Sequence, residues 1–321
     1  MTTAQKVEHV VESYGVNSVL AARIVNDVPD LKPEIVTLYL KAKPKPFVKW
    51  VGGKRQLLSQ FRENKLYPPK EFNTFTNTYF EPFAGGGAVF FDLLPDSAHI
   101  NDLNEELIVT YNTIKEDVQS LINHLSSDKY IYDKNIFLDI RAQKISELSD
   151  IERAARFIYL NRTGFNGMYR VNKSGQFNVP FGKYNNPQIC DAENLLKVSG
   201  VLKDVTITSQ SYKFVLDSAK NGDFIYFDPP YYPVTKTASF TTYTNDVFLE
   251  QQQEELRDTY LELHKRGCFV MLSNSDTLFI ESLFAPYSKE GINIHKVQAG
   301  RAINSNSSKR GKVSEILIAN Y

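Results

Sequence analysis

Short apolar runs alternate with longer amphipathic stretches along this chain, a pattern typical of strands and helices in an α/β protein. The apolar runs predict strands beginning at residue 79 and over residues 98–101, 203–208, 223–227, 268–272 and 313–319. Apolar positions at helical spacing predict helices over residues 104–115, 151–160 and 246–266. Strands of this kind are typical of a buried parallel sheet, and ligands bind at the carboxyl ends of such strands.

Residues 1–43 carry a separate helical pattern. It predicts a first helix that ends at Gly15, a second capped by Asn17 and a third beginning near Pro33. Three short helices are compatible with a helix-turn-helix DNA contact or with a packing or dimerisation appendage. Because no basic recognition face is visible, we favour the appendage, which a basic, proline-containing linker at residues 41–46 joins to the rest.

The composition indicates a soluble globular protein, since 42% of the residues are hydrophobic and 23% are charged. No apolar run approaches the ~20 residues of a membrane span, and the N-terminus lacks a signal-peptide pattern. The two cysteines, Cys190 and Cys268, lack metal-ligand spacing, which favours a reducing cytoplasm and no metal site. The formal net charge is zero, so a nucleic-acid partner has to be inferred from local basic patches.

The motif Asp228-Pro229-Pro230-Tyr231 follows the apolar run 223–227. Neither proline has an N–H for a sheet, so the strand ends and a carboxylate, a fixed carbonyl and an aromatic ring lie together. We interpret the motif as a pocket for a flat molecule with an exocyclic amino group. Asp228 and the Pro229 carbonyl accept the amino hydrogens, and Tyr231 stacks on the ring. The competing interpretation is a strand-ending turn with a surface tyrosine.

A second candidate site begins where the strand at residue 79 runs into Gly85-Gly86-Gly87 before a helix. Glycines allow a ligand to approach closely, and the next strand ends at Asp102, an acidic position suited to ribose hydroxyls. The pattern is not G-x-G-x-x-G, so it predicts a nucleoside-bearing cofactor without pyrophosphate. Ser211-Tyr212 follows a further strand, at a place where the adenine ring of such a cofactor could rest.

Residues 161–184 differ in kind, being rich in asparagine, glycine, aromatic and basic residues. Asn172 to Gly175 is a turn signal between two extended arms, and such a ribbon fits the DNA major groove. An ordinary polar hairpin has the same composition. Beside the only tryptophan, Lys49 is a candidate for contact with a nucleic-acid edge or phosphate and Lys54 for contact with a carboxylate; a core tryptophan with solvated lysines is the alternative. Lys309 and Arg310 are candidates for phosphate contact in a loop that is otherwise solvated.

Six stretches together resemble the Dam-type DNA adenine-N6 methyltransferases that act on GATC. In chain order they read K-W-V-G-G-K, E-P-F-A-G-G-G-A-V-F, I-N-D-L-N, N-R-T-G-F-N-G-M-Y-R, G-Q-F-N-V-P-F-G and D-P-P-Y. The resemblance covers residues 46–321 and leaves residues 1–43 outside as an N-terminal helical extension. It implies a Rossmann-like methyltransferase fold with an inserted helical and β-hairpin DNA-recognition domain. The implied division is catalysis in 44–115 and 200–321, and recognition in 116–199 with the hairpin 161–184.

The resemblance also implies S-adenosylmethionine as the methyl donor, and no metal. Trp50 and Lys54 would contact this cofactor, with Lys54 near its carboxylate, and Asp102 would hold its ribose. The methionine end would be lined by Phe83, Ala84 and Gly85.

The implied partner is double-stranded DNA. An adenine flipped out of the duplex would be held by Asp228, Pro229, Pro230 and Tyr231. Lys49 would contact the outer guanine of GATC, and Phe165 would wedge beside the target position, with Asn166 positioning it. The remaining base pairs would be read by Met168, Arg170 and Pro180.

Two rival functions remain open at this point. One is an amino methyltransferase with a related pocket that acts on RNA adenine or protein glutamine, against which the motif order and the long hairpin argue. The other is a non-catalytic DNA-binding relative, against which the intact Asp228–Tyr231 motif argues. The sequence leaves open whether a cytoplasmic bacterial or phage enzyme of this kind accompanies a cognate restriction endonuclease or marks a genome.

Overall fold

The computed structural model describes residues 1–14, 18–28, 30–33, 36, 43–234, 248–300 and 312–321. Its strands are β1 Tyr79–Glu81, β2 Ala98–Asn101, β3 Thr206–Thr208, β4 Phe224–Phe227, β5 Phe269–Ser275, β6 Asn293–Gly300 and β7 Lys312–Ala319. Its α-helices are α1 Thr3–Tyr14, α2 Ser18–Asp27, α3 Leu58–Glu63, α4 Ala88–Leu93, α5 Glu105–Leu125, α6 Lys134–Ala142, α7 Asp150–Thr163, α8 Ala192–Leu202, α9 Val215–Ser218, α10 Glu250–Lys265 and α11 Leu278–Phe284. None of these described helices has the length and apolarity that spanning a bilayer requires.

One seven-stranded sheet organises the described chain, in the order β3-β2-β1-β4-β5-β7-β6. Strands β1 to β5 run parallel to one another, whereas β7 lies antiparallel between β5 and β6. The direction of winding reverses between β1 and β4, since the chain first extends the sheet to β3 and then builds outward from the other side of β1. Such a switch point leaves a crevice at the carboxyl ends of the two strands, where ligands bind in open α/β sheets.

Side chains of the central strand β4 bury both faces of the sheet. Phe224 and Tyr226 join the core shared with α5, α7 and α8, whereas Ile225 and Phe227 join the core of α9, α10 and α11. All four are at most 1% exposed. Because both faces are covered, the strand is an uninterrupted apolar run in the sequence, and this is why the pattern identified it.

Most of the predicted elements are confirmed, with shifted ends. Strands β2, β4 and β7 lie where the apolar runs placed them, and α7 extends the predicted helix 151–160. Asn104 caps α5, because its side-chain oxygen accepts a hydrogen bond from Leu107 N at 3.1 Å. Strand β6 was not predicted, since this edge strand buries only Val297 and therefore lacks an apolar alternation.

The prediction of a hairpin over residues 161–184 is wrong at its start. Residues 161–163 form the last turn of α7, which begins with a capping box at Ser149 and meets no glycine or proline before Gly164. We call residues 164–182 the polar hairpin. Its antiparallel bridges join Gly164 to Phe181 and Val171 to Phe177. Its turn is confirmed, because Gly175 N donates to the Asn172 carbonyl at 2.9 Å.

Both predicted boundaries between the catalytic and recognition domains fall inside helices. The boundary after residue 115 falls inside α5, which bends at Asp117 (φ −145°, ψ 62°), and the boundary after residue 199 falls inside α8. Helices α5, α7 and α8 share the core on one face of the sheet. The division therefore stays a prediction.

The N-terminal helices α1 and α2 pack on the rest of the chain through a small apolar core. Val10, Ile24 and Val36 are fully buried in it, together with Leu94 at the end of α4. This packing is in line with the appendage interpretation. Asn17 and most of the predicted third helix lie outside the described residues.

Candidate active site

A cavity of about 1400 Å³ opens at the switch point between β1 and β4. It exceeds the ~300–1,000 Å³ typical of a pocket for one small molecule, so two ligands can lie side by side. The predicted catalytic and cofactor residues that line it are Trp50, Lys54, Phe83, Ala84, Gly85, Asp102, Ser211, Tyr212, Asp228, Pro229, Pro230 and Tyr231. From the predicted DNA contacts it includes Lys49 and Asn166, but not Phe165, Met168, Arg170 or Pro180. Lys309 and Arg310 lie outside the described residues.

The turn after β1 brings the backbone close to the indole of Trp50. Gly85 has φ +48°, and a Cβ atom there would lie 2.5 Å from Trp50 Nε1. The Asp102 carboxylate closes the turn by accepting hydrogen bonds from Gly85 N at 2.8 Å and Asn104 N at 2.9 Å. Burial raises the pKa of Asp102, and these two hydrogen bonds oppose the rise. A space next to the glycine turn and the Asp102 carboxylate fits a nucleoside, whose ribose hydroxyls can donate to the carboxylate.

Asp228 and Lys54 form an ion pair in the cavity. Lys54 is 4% exposed, and its Nζ lies 2.8 Å from Asp228 Oδ1 and 2.6 Å from the Gly52 carbonyl oxygen. The same ammonium lies 4.8 Å from the ring centroid of Tyr231, a cation–π contact. Burial raises the pKa of Asp228, whereas Lys54 lowers it. A carboxylate acceptor, a cation and an aromatic face thus share one small volume.

An aromatic wall completes another side of the cavity. Phe83 stacks on Tyr212 with ring centroids 5.3 Å apart, and Phe248 meets both rings edge-on. All three residues line the cavity. Within the described ranges, the cavity included, no cluster of three or more histidine, cysteine or acidic side chains has the arrangement of a metal site.

Glu81 is a buried acid of the cavity wall that the sequence analysis did not select. It ends β1, is 2% exposed, and its Oε2 accepts hydrogen bonds from Tyr79 OH and Phe90 N, both at 2.9 Å. Burial raises the pKa of Glu81 to about 8, although both hydrogen bonds oppose the rise. Because Phe90 lies in the first turn of α4, Glu81 ties the strand to the helix N-terminus across the glycine turn.

Buried amides that the sequence pattern did not mark fasten the loop after β4. Gln253 Nε2 donates to the Pro230 carbonyl at 3.0 Å, and Asn274 Nδ2 donates to Gln253 Oε1 at 2.9 Å. Asn274 Oδ1 also accepts from Tyr232 N at 3.1 Å. The two amides are 2% and 0% exposed, and a buried polar network whose members are all paired is rigid. They come from α10 and β5, so only the fold brings them to this loop.

Tyr231 is held by Glu315, a residue of β7. The Tyr231 hydroxyl donates to Glu315 Oε2 at 2.7 Å. Burial and the nearby Asp228 carboxylate raise the pKa of Tyr231 well above its ordinary value. The hydroxyl therefore stays protonated and continues to donate, which fixes the ring within the cavity.

The polar hairpin presents its predicted residues unevenly. Phe165 is 48% exposed, and Arg170 and Pro180 are exposed as well. Arg170 Nε donates to Asn178 Oδ1 at 2.7 Å, across the hairpin. Met168 is half-buried and packs on the core, so only part of its side chain is exposed.

Comparisons with known proteins agree with this geometry. A family profile described as "D12 class N6 adenine-specific DNA methyltransferase" matches residues 50–303. The chain is similar to "Type II methyltransferase M1.LlaDCHI" of Lactococcus lactis subsp. cremoris, with 43% identity over 88% of this chain and 97% of the relative. It is similar to "Type II methyltransferase M.MjaIII" of Methanocaldococcus jannaschii, with 43% identity over 86% of this chain and 99% of the relative. "DNA adenine methylase" of Escherichia coli (strain K12) is 32% identical over 86% of this chain and 95% of its own length.

The profile match includes the glycine turn, the polar hairpin and the Asp228 motif. It confirms the resemblance drawn from the six sequence motifs and the methyltransferase fold that the resemblance implies. The family description names adenine in DNA as the target, which decides against RNA, protein glutamine and an inactive DNA-binding module. The chain belongs to the D12 class N6 adenine-specific DNA methyltransferase family, whose methyl donor is S-adenosylmethionine.

Proposed function

We propose that this enzyme methylates the adenine of GATC in duplex DNA, and that the target base leaves the helix during the reaction. The observation that carries the second part is the position of Asp228 and Tyr231 within the walls of the cavity. An amino group inside a base pair cannot reach a carboxylate in such a place, so the base has to be extruded. The choice of GATC rests on the similarity of the six motifs to those of Dam-type enzymes.

We assign the chemistry to the loop after β4. Asp228 and the Pro229 carbonyl accept the two hydrogens of the target amino group, Pro230 keeps the loop rigid, and Tyr231 stacks on the base. Lys54 forms an ion pair with Asp228 through Oδ1, so the other carboxylate oxygen, Oδ2, is assigned to the target amino group. S-adenosylmethionine supplies a methyl group that is already electrophilic, so the protein has to orient the amino nitrogen more than deprotonate it.

The glycine turn and its neighbours are assigned to the cofactor. Asp102 holds the ribose, and the adenine ring rests near Ser211 and Tyr212. Lys54 faces the carboxylate with the ammonium hydrogen left after its contacts to Asp228 and the Gly52 carbonyl. The methionine end is lined by Trp50, Phe83, Ala84 and Gly85. The close approach of Trp50 to Gly85 supports this assignment, because it leaves no room for a side chain at position 85.

The polar hairpin and the loop around Lys49 are assigned to the DNA. Lys49 contacts the outer guanine, and Phe165 wedges beside the vacated position with Asn166 next to it. The other base pairs are read by Met168, Arg170 and Pro180. Lys309 and Arg310 contact phosphates, which position the duplex without reading its sequence.

The biological setting is also part of the proposal. The names of two relatives as Type II methyltransferases favour a role beside a cognate restriction endonuclease, a functional rather than a physical partner. The two cysteines without metal-ligand spacing support a place in the cytoplasm and a reaction without a metal ion. Genome marking and a phage role are the other settings. Mapping the methylated sites of DNA from an expressing host, by restriction digestion or single-molecule sequencing, tests the target sequence.

Arg170→Ala tests whether the polar hairpin reads bases. The guanidinium can present two donors to guanine O6 and N7, a contact that discriminates by about five-fold to over a hundred-fold. We therefore expect Arg170→Ala to lower the methylation rate on GATC. The preference for GATC over sites that differ at one base pair should also become smaller. Cofactor affinity should not change. The measurement is the methylation rate on GATC and on each single-substitution duplex at fixed salt.

Lys309→Ala is the matched charge removal for this experiment. A phosphate contact has no sequence preference, so this variant should weaken all duplexes alike and reduce the salt dependence of binding. If Arg170→Ala slows every duplex by one common factor, as Lys309→Ala should, the base-reading role of Arg170 is wrong.

Glu315→Leu tests whether β7 holds the ring of Tyr231. The substitution removes the acceptor at 2.7 Å and leaves the Tyr231 hydroxyl unpaired beside an apolar chain. We expect single-turnover methyl transfer to fall by about ten-fold or more, because small misplacements of a positioning group carry costs of this order. Glu315→Gln keeps an acceptor and should retain most of the rate. Equal rates in the two variants would show that the contact does not matter for catalysis.

A further inference from the structure

The side chain of Asn161 joins two separate segments that the proposed function assigns to the DNA, the loop around Lys49 and the polar hairpin. Asn161 Oδ1 accepts a hydrogen bond from Lys49 N at 2.9 Å, and Asn161 Nδ2 donates to the Lys49 carbonyl at 2.8 Å. The same Nδ2 donates to the Gly167 carbonyl at 2.8 Å. Asn161 is 0% exposed, so these three bonds form without competition from water.

Two further contacts leave Lys49 little freedom. A Cβ atom at Gly167, whose φ is +64°, would lie 2.5 Å from Lys49 Cβ, so the hairpin backbone lies directly against the lysine. Lys49 Nζ lies 4.3 Å from the ring centroid of Tyr184, and the Tyr184 hydroxyl donates to the Gly164 carbonyl at 2.9 Å. The Cβ atom of Lys49 therefore contacts the polar hairpin, and its ammonium contacts Tyr184, just after the hairpin.

We propose that Asn161 is a positioning residue for sequence readout, which sets where Lys49 stands relative to the polar hairpin. This inference rests on the proposed role of Lys49 as a base-contacting residue. Lys49 belongs to the loop that continues into Trp50, whereas Gly167 belongs to the hairpin that carries Arg170. Without Asn161, the loop and the polar hairpin can shift relative to each other. Lys49 and Arg170 then no longer have the spacing that lets each of them contact its own base pair.

The chain provides a matched control on the same segment. Asn194 Oδ1 accepts from Lys45 N at 2.9 Å, and Asn194 Nδ2 donates to the Lys45 carbonyl at 2.9 Å. This clasp has the same chemistry and Asn194 is 8% exposed, but it anchors Lys45 to α8 rather than to the hairpin. A merely structural asparagine predicts the same consequences at both positions, whereas the proposal predicts a difference.

The experiment compares Lys49→Ala, Asn161→Ala and the double variant on GATC and on every single-substitution duplex. Lys49→Ala identifies the base pair that the lysine reads. We expect Asn161→Ala to relax discrimination at that same base pair by about five-fold, the lower end of the range for a specific base contact. The double variant should lose no more than Lys49→Ala alone, because residues that act through one another are not additive.

Asn194→Ala should lower the melting temperature as Asn161→Ala does, and leave discrimination at every base pair unchanged. Trp50, the only tryptophan, adjoins Lys49 and gives a readout free of catalysis. Its emission should change in Asn161→Ala and not in Asn194→Ala. If Asn161→Ala does not fold, Tyr184→Leu removes the ring under the ammonium and should relax the same base pair.

The possible results separate the inference from the function on which it rests. If Lys49→Ala relaxes one base pair and a folded Asn161→Ala does not, the positioning role is overturned and the base-reading role of Lys49 stands. If Asn161→Ala does not fold, unchanged discrimination at that base pair in Tyr184→Leu overturns the positioning role instead. Equal effects of Asn161→Ala and Asn194→Ala on discrimination overturn the inference as well. If Lys49→Ala relaxes no base pair, both the inference and the base-reading role of Lys49 are wrong.

Discussion

Asp228→Ala is expected to lower single-turnover methyl transfer by about a hundred-fold to a thousand-fold, the cost of removing one preorganised polar group from a transition state. The substitution removes the acceptor that orients the target amino group. It also leaves Lys54, which is 4% exposed, without the carboxylate now 2.8 Å from its ammonium. A buried cation without a partner is destabilising, so the melting temperature should fall too. Single-turnover rates with labelled cofactor, with melting curves, measure both effects.

Asp228→Asn separates the loss of charge from the loss of an acceptor. The amide keeps one oxygen in place, so this variant should retain more activity than Asp228→Ala. Duplex binding should survive in both, because phosphate contacts dominate affinity for DNA. A single-turnover rate near that of the wild type in Asp228→Ala would remove Asp228 from the catalytic assignment.

Gly85→Ala is expected to weaken cofactor binding by at least about ten-fold, which corresponds to ~1.4 kcal/mol. A Cβ atom at this position would lie 2.5 Å from Trp50 Nε1 and 2.6 Å from Trp50 Cδ1, so the indole has to move. Gly85 N also donates to Asp102 Oδ2 at 2.8 Å, so a shift of the turn disturbs the residue assigned to the ribose. Calorimetric titration with S-adenosylhomocysteine measures the effect without depending on catalysis.

Gly291→Ala is the control for the backbone part of this effect. Gly291 also has a positive φ, +91°, but a Cβ atom there would meet nothing within 4 Å. The variant should therefore lose stability from the left-handed conformation, by roughly 1–2 kcal/mol, and keep its cofactor affinity. If Gly85→Ala binds the cofactor as well as Gly291→Ala does, the close approach of Trp50 to the turn is not part of the cofactor site.

Many of the residues that line the cavity were predictable because their sequence signals are local. Two prolines end β4 wherever that strand is placed, and a run of glycines marks a turn that other residues cannot adopt. Asp102 follows β2 directly, so its position at the carboxyl edge of the sheet comes with the strand. Parallel strands gather these edges on one side, which is why the predicted residues that follow strands, between 83 and 231, meet in one cavity.

The start of the polar hairpin was mispredicted for the opposite reason. Composition marks residues 161–184 as one polar segment, yet residues 161–163 continue α7. Asn161 is polar like the hairpin that follows and fully buried like the helix that precedes. The residue type is the same whether an asparagine is buried or exposed, so composition does not distinguish Asn161 from the exposed asparagines of the hairpin.

The sequence alone was therefore sufficient for the strands of the parallel sheet, the glycine and proline turns, and the family, because each depends on local backbone restraints or on motifs in order. Only the folded chain decided which polar side chains hold these motifs in place. Asn161, Gln253, Asn274 and Glu315 act on segments distant in sequence, at 2.7–3.1 Å. An amide or carboxylate bonds whichever backbone or side chain the fold brings within reach, and no periodicity in its own neighbourhood records that partner.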